Sequence, residues 1–96
     1  MSPLNQKKLD LLRIKLDKLD NELLKLIKKR SNLVNEVLKV KSKKKEIIDQ
    51  QRINLILKKI KKKSIQLKID PKITNRIWKN MIWSFIDYEN RNFKKK

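Results

Sequence analysis

The stretch LDLLRIKLDKLDNELLKLIKKRSNLVNEVLKVK, Leu9 to Lys41, decides the fold. On a 3.5-residue period one seam runs Leu9, Leu12, Leu16, Leu19, Leu23, Leu26, Arg30, Leu33, Val37, Val40, in alternating steps of three and four without a break. Every member is aliphatic except Arg30. A guanidinium cannot deprotonate to escape a dry environment, so at a seam position it must find an anion or reach water. Two readings stay open: a polar residue that sets the register of a coiled coil, or a buried anion-binding site between helices.

Ser2 and Pro3 make an N-cap and first-turn pair, and the seam carries the helix to about Lys41 or Ser42. Such a helix is roughly 55–60 Å long, whereas a compact monomer of this size is about 30 Å across. It cannot bury its seam alone, which predicts an obligate homodimer with the two long helices antiparallel. Ser42 to Glu46 is charged and lacks aliphatics, so it reads as a loop or frayed turn. A second helix follows from about Ile48 to Ile65, with Ile53, Ile56, Leu57 and Ile60 as its buried stripe. Asp49, Arg52 and Ile56 share a neighbouring face. Asp70-Pro71 marks the start of a third helix that runs to about Asn92. Ile73, Ile77, Met81, Ser84, Phe85 and Tyr88 give this helix an apolar face, and Trp78, Ile82, Phe85 and Glu89 line the adjacent stripe. The fold class is all-α: one domain over residues 1–96, three helices per chain with a long first one, intertwined as a homodimer.

Composition excludes much chemistry. The 96 residues contain no Cys, His or Gly, so thiol nucleophiles, His general bases, His or Cys metal sites and Gly-rich phosphate loops are all ruled out. The N-terminal MSPLNQKKLD has no apolar signal-peptide core and no long apolar run occurs, which predicts a cytoplasmic chain without membrane association. The net charge of +18 would ordinarily point to nucleic acid. Lys, Ile and Asn are all abundant, however, as AT-rich coding would make them on any protein. The short clusters Lys43 to Lys45, Lys61 to Lys63 and Lys94 to Lys96 read as solvated faces and a frayed tail, and a nucleic-acid partner is not expected.

Arginine is scarce against this lysine background: Arg13, Arg30, Arg52, Arg76 and Arg91. Its planar fork grips carboxylates bidentately where lysine offers a point charge, so a retained arginine suggests a geometric demand. Arg30 and Lys41 are eleven residues apart, close to three turns, and project from one face at roughly 16 Å. In an antiparallel dimer crossing near residue 24, Arg13 of the other chain lands beside them, and three cations converge on one inter-subunit pocket. Taken singly, each reads as a solvated surface charge. Asp49 and Arg52 are either a surface ion pair or part of the pocket lining. Glu89 sits on an apolar stripe, and is either solvent-facing near the helix end or a partly buried carboxyl able to donate a proton.

The run from Leu11 to Lys41, followed by IIDQQR (Ile47 to Arg52) and IDPKITNRIWKNMIWSFIDYE (Ile69 to Glu89), resembles the all-α (type II) chorismate mutases over nearly the whole chain. The resemblance implies rearrangement of chorismate to prephenate, in phenylalanine and tyrosine synthesis, by an intertwined homodimer with no metal and no cofactor. By the same resemblance Arg30 and the partner subunit's Arg13 bind the two carboxylates of chorismate, with Arg52 near one of them. Lys41 hydrogen-bonds the ether oxygen and a carboxylate, and Asp49 meets the ring hydroxyl. Three positions depart from the family pattern. Glu89 stands where bacterial members usually have Gln, as in fungal members, and must be protonated to assist the ether oxygen. Ile53 stands where many members carry Glu, and Phe85 replaces a small hydroxyl residue that touches a carboxylate. These departures leave room for an activating partner enzyme. Isochorismate pyruvate lyase, on the same fold, and a non-enzymatic basic helical module that binds nucleic acid are the alternatives.

Overall fold

The computed structural model describes residues 1–94, so the last two lysines of the Lys94 to Lys96 tail lie outside the described residues. Three helices carry the chain: α1 (Pro3–Val40), α2 (Gln50–Gln66) and α3 (Pro71–Asn92), with a 3₁₀ turn at Lys44–Glu46. No strand occurs among the described residues, and the all-α expectation holds. Ser2 caps α1, its hydroxyl oxygen accepting from the Asn5 amide at 3.2 Å.

α1 stops because Glu46 offers its exit a better set of partners. The Glu46 carboxylate accepts from the Lys43 amide at 2.7 Å, from the Ser42 hydroxyl at 3.0 Å and from the Ser42 amide at 3.2 Å. The Lys43 N–H first, then the Ser42 hydroxyl, hold the Glu46 carboxyl below its ordinary pKa. The run from Ser42 to Glu46 is therefore a tied turn rather than a frayed one. It delivers Ile47 to the interior.

α2 begins two residues later than the sequence suggests, because Asp49 serves as its N-cap, accepting from the Arg52 amide at 3.0 Å. Asp70 does the same for α3 through the Lys72 amide at 2.9 Å, with Pro71 in the first turn, as its sequence predicts. Between them α2 ends in a Schellman turn: the Ile69 amide reaches the Ser64 carbonyl and the Lys68 amide reaches that of Ile65. In a chain without glycine, Lys68 takes the left-handed position at φ 57°.

The chain divides into two compact units, residues 1–33 and 34–96. The first is the leading part of α1. Its leucine seam is largely exposed, and α1 contains no buried residue. The second unit has a core of four isoleucines, Ile47, Ile53, Ile82 and Ile86, flanked by Leu38, Ile56, Leu57 and Phe93. α2 lays the stripe predicted for it against α3.

The buried face of α3 differs from the first of the two predicted. Ile73 and Ile77 are about half exposed and Ser84 is exposed, whereas Thr74, Ile82, Ile86 and Glu89 are buried. The adjacent stripe faces the core instead. Its anchor is a buried hydroxyl pair, Ser64 Oγ to Thr74 Oγ1 at 2.7 Å, which lets two polar residues lie buried between α2 and α3.

Candidate active site

Within the second unit the core ends in a buried polar pair. Lys41, the residue just past α1, donates from Nζ to Glu89 Oε2 at 3.0 Å, with the side chains 18% and 9% exposed. The same ammonium approaches the Ile47 carbonyl at a longer 3.5 Å. Glu89 can sit on an apolar stripe because this ammonium meets it there. An ion pair at this depth is costly to desolvate, and it persists only where its geometry is good or where it has a further use.

Two residues fix the geometry around the pair. The Tyr88 hydroxyl donates to Asn35 Oδ1 at 2.8 Å and ties the last turns of α3 to the end of α1. Ile53, directly after Arg52, is one of the four core isoleucines, so this position belongs to the packing that supports Lys41 and Glu89. Neither the Tyr88–Asn35 bond nor the Ser64–Thr74 pair was predicted from the sequence. For the second a signal exists: Ser64 lies one turn beyond Ile60 on the α2 stripe, and Thr74 one turn before Trp78 on that of α3.

The other candidates divide between the units. Phe85 is half-buried on α3, one turn before Glu89 and on its side of the helix. Asp49 and Arg52 are exposed and joined through the α2 cap rather than side chain to side chain. Arg30, half-exposed, and Arg13, exposed, belong to the first unit. Among the described residues no three acidic side chains gather closely enough to hold a metal ion, and no helix is long and apolar enough to cross a membrane.

What the second unit offers chemically is a cation and a carboxyl side by side at the rim of an apolar core, held by helices rather than by loops. That arrangement suits hydrogen bonding to an oxygen atom of a small molecule, not nucleophilic attack. The chain belongs to the type II chorismate mutase family, whose model matches residues 12–90. The match opens just before Arg13 and closes just after Glu89, so all seven candidate residues fall inside it. At the family level this implies a mutase-type isomerase. No curated protein and no solved structure matches the chain.

Proposed function

We propose that this chain is a chorismate mutase that works as a homodimer, converting chorismate to prephenate in the synthesis of phenylalanine and tyrosine. The observation that carries the reading is the contact between Lys41 and Glu89. The reaction asks both to face one ether oxygen, and residues 48 positions apart in sequence stand 3.0 Å apart. In the rearrangement the ether C–O bond breaks as a C–C bond forms, and no proton, nucleophile or cofactor is consumed. The enzyme holds the folded conformer and stabilises negative charge growing on the ether oxygen.

Lys41 donates to that oxygen. Glu89 assists when it carries a proton, since an ionised carboxylate would repel the developing charge. Arg30 and the partner subunit's Arg13 hold the two carboxylates of the substrate, Arg52 lies near one of them, Asp49 meets the ring hydroxyl, and Phe85 closes the apolar side. Glu89→Gln, which presents an amide donor to the ether oxygen in place of a carboxylate, should turn over at least as fast as the parent chain.

The test is a chorismate depletion assay at mildly acidic and neutral pH, with isochorismate in parallel. We expect prephenate, and a loss of about 10²-fold or more with Arg30→Ala, the size typical of removing one donor from a preorganised site. Pyruvate and salicylate from isochorismate alone would replace the mutase with the lyase. Turnover indifferent to Arg30→Ala would sink the assignment of the site.

A further inference from the structure

The hairpin of α2 and α3 carries a steeper charge imbalance than the leading part of α1. From Gln50 to Asn92 stand eleven lysines and arginines and three acids, each already engaged: Asp70 caps α3, Asp87 pairs with Arg91 and Glu89 with Lys41. Residues 1–33 hold nine cations against four acids. A coding bias that favours lysine supplies positive charge everywhere, but it does not set how few acids on this hairpin are left to meet it.

The cations are also gathered in space. A shallow concavity between the helices is lined by Leu57, Lys58, Lys61, Pro71, Lys72 and Asn75. A second one along α3 shares Lys72 and Asn75 with it and extends to Arg76. Together they form a trough with Lys58 and Lys61 on the α2 side and Lys72 and Arg76 on the α3 side, all four exposed. None of the four side chains enters an ion pair among the described residues. Residues three or four apart on a helix bring their Cβ atoms to about 5–6 Å, so each wall presents two cations in a row.

We propose that this trough binds the phosphodiester backbone of nucleic acid, independently of base sequence. A small anion would not need an open groove with cations spread along both walls. A membrane surface would need several exposed bulky apolar side chains among the cations, whereas the apolar lining here is Leu57, Pro71 and Ile73, of which only Ile73 is exposed. Asn75 adds a neutral donor for phosphate oxygens, and no aromatic side chain lines the trough to stack on bases. The trough shares no residue with the Lys41–Glu89 site.

The test is a fluorescence-anisotropy titration of the full chain with a mixed-sequence duplex, repeated between about 50 and 200 mM salt. Neutralising all four cations (Lys58→Gln, Lys61→Gln, Lys72→Gln, Arg76→Gln) should lower the slope of log affinity against log salt by about 3–4, at about 0.9 for each phosphate that no longer meets a cation. The two pairwise variants should each lower it by about half as much. A control of equal charge on α1 (Lys7→Gln, Lys8→Gln, Lys15→Gln, Lys18→Gln) should change it by less than one unit. Chorismate turnover should be the same in the trough variant as in the parent chain. Equal losses in trough and control variants would overturn the proposal, as would no measurable binding at the lowest salt, or tighter binding to anionic phospholipid vesicles than to the duplex.

Discussion

Glu89 is the residue on which the second unit is most sensitive, because it and Lys41 satisfy each other in a place that water barely reaches. Truncating one member of a buried pair leaves the other charge without compensation, which costs about 3–5 kcal/mol when the burial is deep. Here Lys41 keeps some access to solvent and a long contact to the Ile47 carbonyl, so Glu89→Ala is expected to cost about 2–3 kcal/mol. Glu89→Gln retains an acceptor for the ammonium and should cost about 1 kcal/mol or less. Urea denaturation of the two variants at neutral pH measures the difference, read from the midpoints at constant slope. If both lose the same small amount, the pair does not stabilise the apo protein and the reason for its geometry must be sought in binding alone.

At the scale of elements, the end of α2 carries a local strain that a single substitution can release. Lys68 holds the left-handed position of the Schellman turn, which costs a residue with a side chain about 1–2 kcal/mol. Glycine removes that cost but adds freedom to the unfolded chain, worth roughly 0.5–1 kcal/mol. Lys68→Gly should therefore stabilise the second unit by about 0.5–1 kcal/mol, seen as a higher melting temperature, while a β-branched residue such as Val there should destabilise it. A lower melting temperature for Lys68→Gly would mean that the lysine side chain contributes something the turn geometry does not explain. The start of α3 was legible in the sequence because Asp70-Pro71 encodes it chemically, and the start of α1 likewise in Ser2-Pro3. The buried face of α3 was not. Its two neighbouring stripes are both apolar enough, and the one that faces the core begins with Thr74, whose hydroxyl is acceptable there only because Ser64, from another helix, meets it. The meeting of Lys41 and Glu89 was out of reach for the same reason: the sequence marks each residue as unusual for its stripe, but their pairing depends on the turn that Glu46 builds between α1 and α2.

For the whole molecule, the leucine seam of α1 poses the question that a single chain leaves open. Leu12, Leu16, Leu19, Leu23 and Leu26 are each between 54% and 60% exposed. A soluble chain rarely leaves so continuous an apolar row against water. Most helical stability in proteins comes from packing an amphipathic face, and α1 contains no buried residue. The homodimer proposed above removes the row from water by placing a second copy of α1 against it. At about 1.5 kcal/mol per buried leucine, replacing Leu19 and Leu23 by Lys in both chains forfeits about 6 kcal/mol, more than four decades in dissociation constant, before charge repulsion is added. Sedimentation equilibrium should find a dimer for the parent chain and a monomer for Leu19→Lys/Leu23→Lys, with reduced helical circular dichroism because the freed α1 frays. Turnover of chorismate should disappear with the dimer, since Arg13 would no longer reach the other chain's substrate. A variant that stays dimeric would remove the seam from the interface, and a monomer with full turnover would make Arg13 an ordinary solvated surface charge.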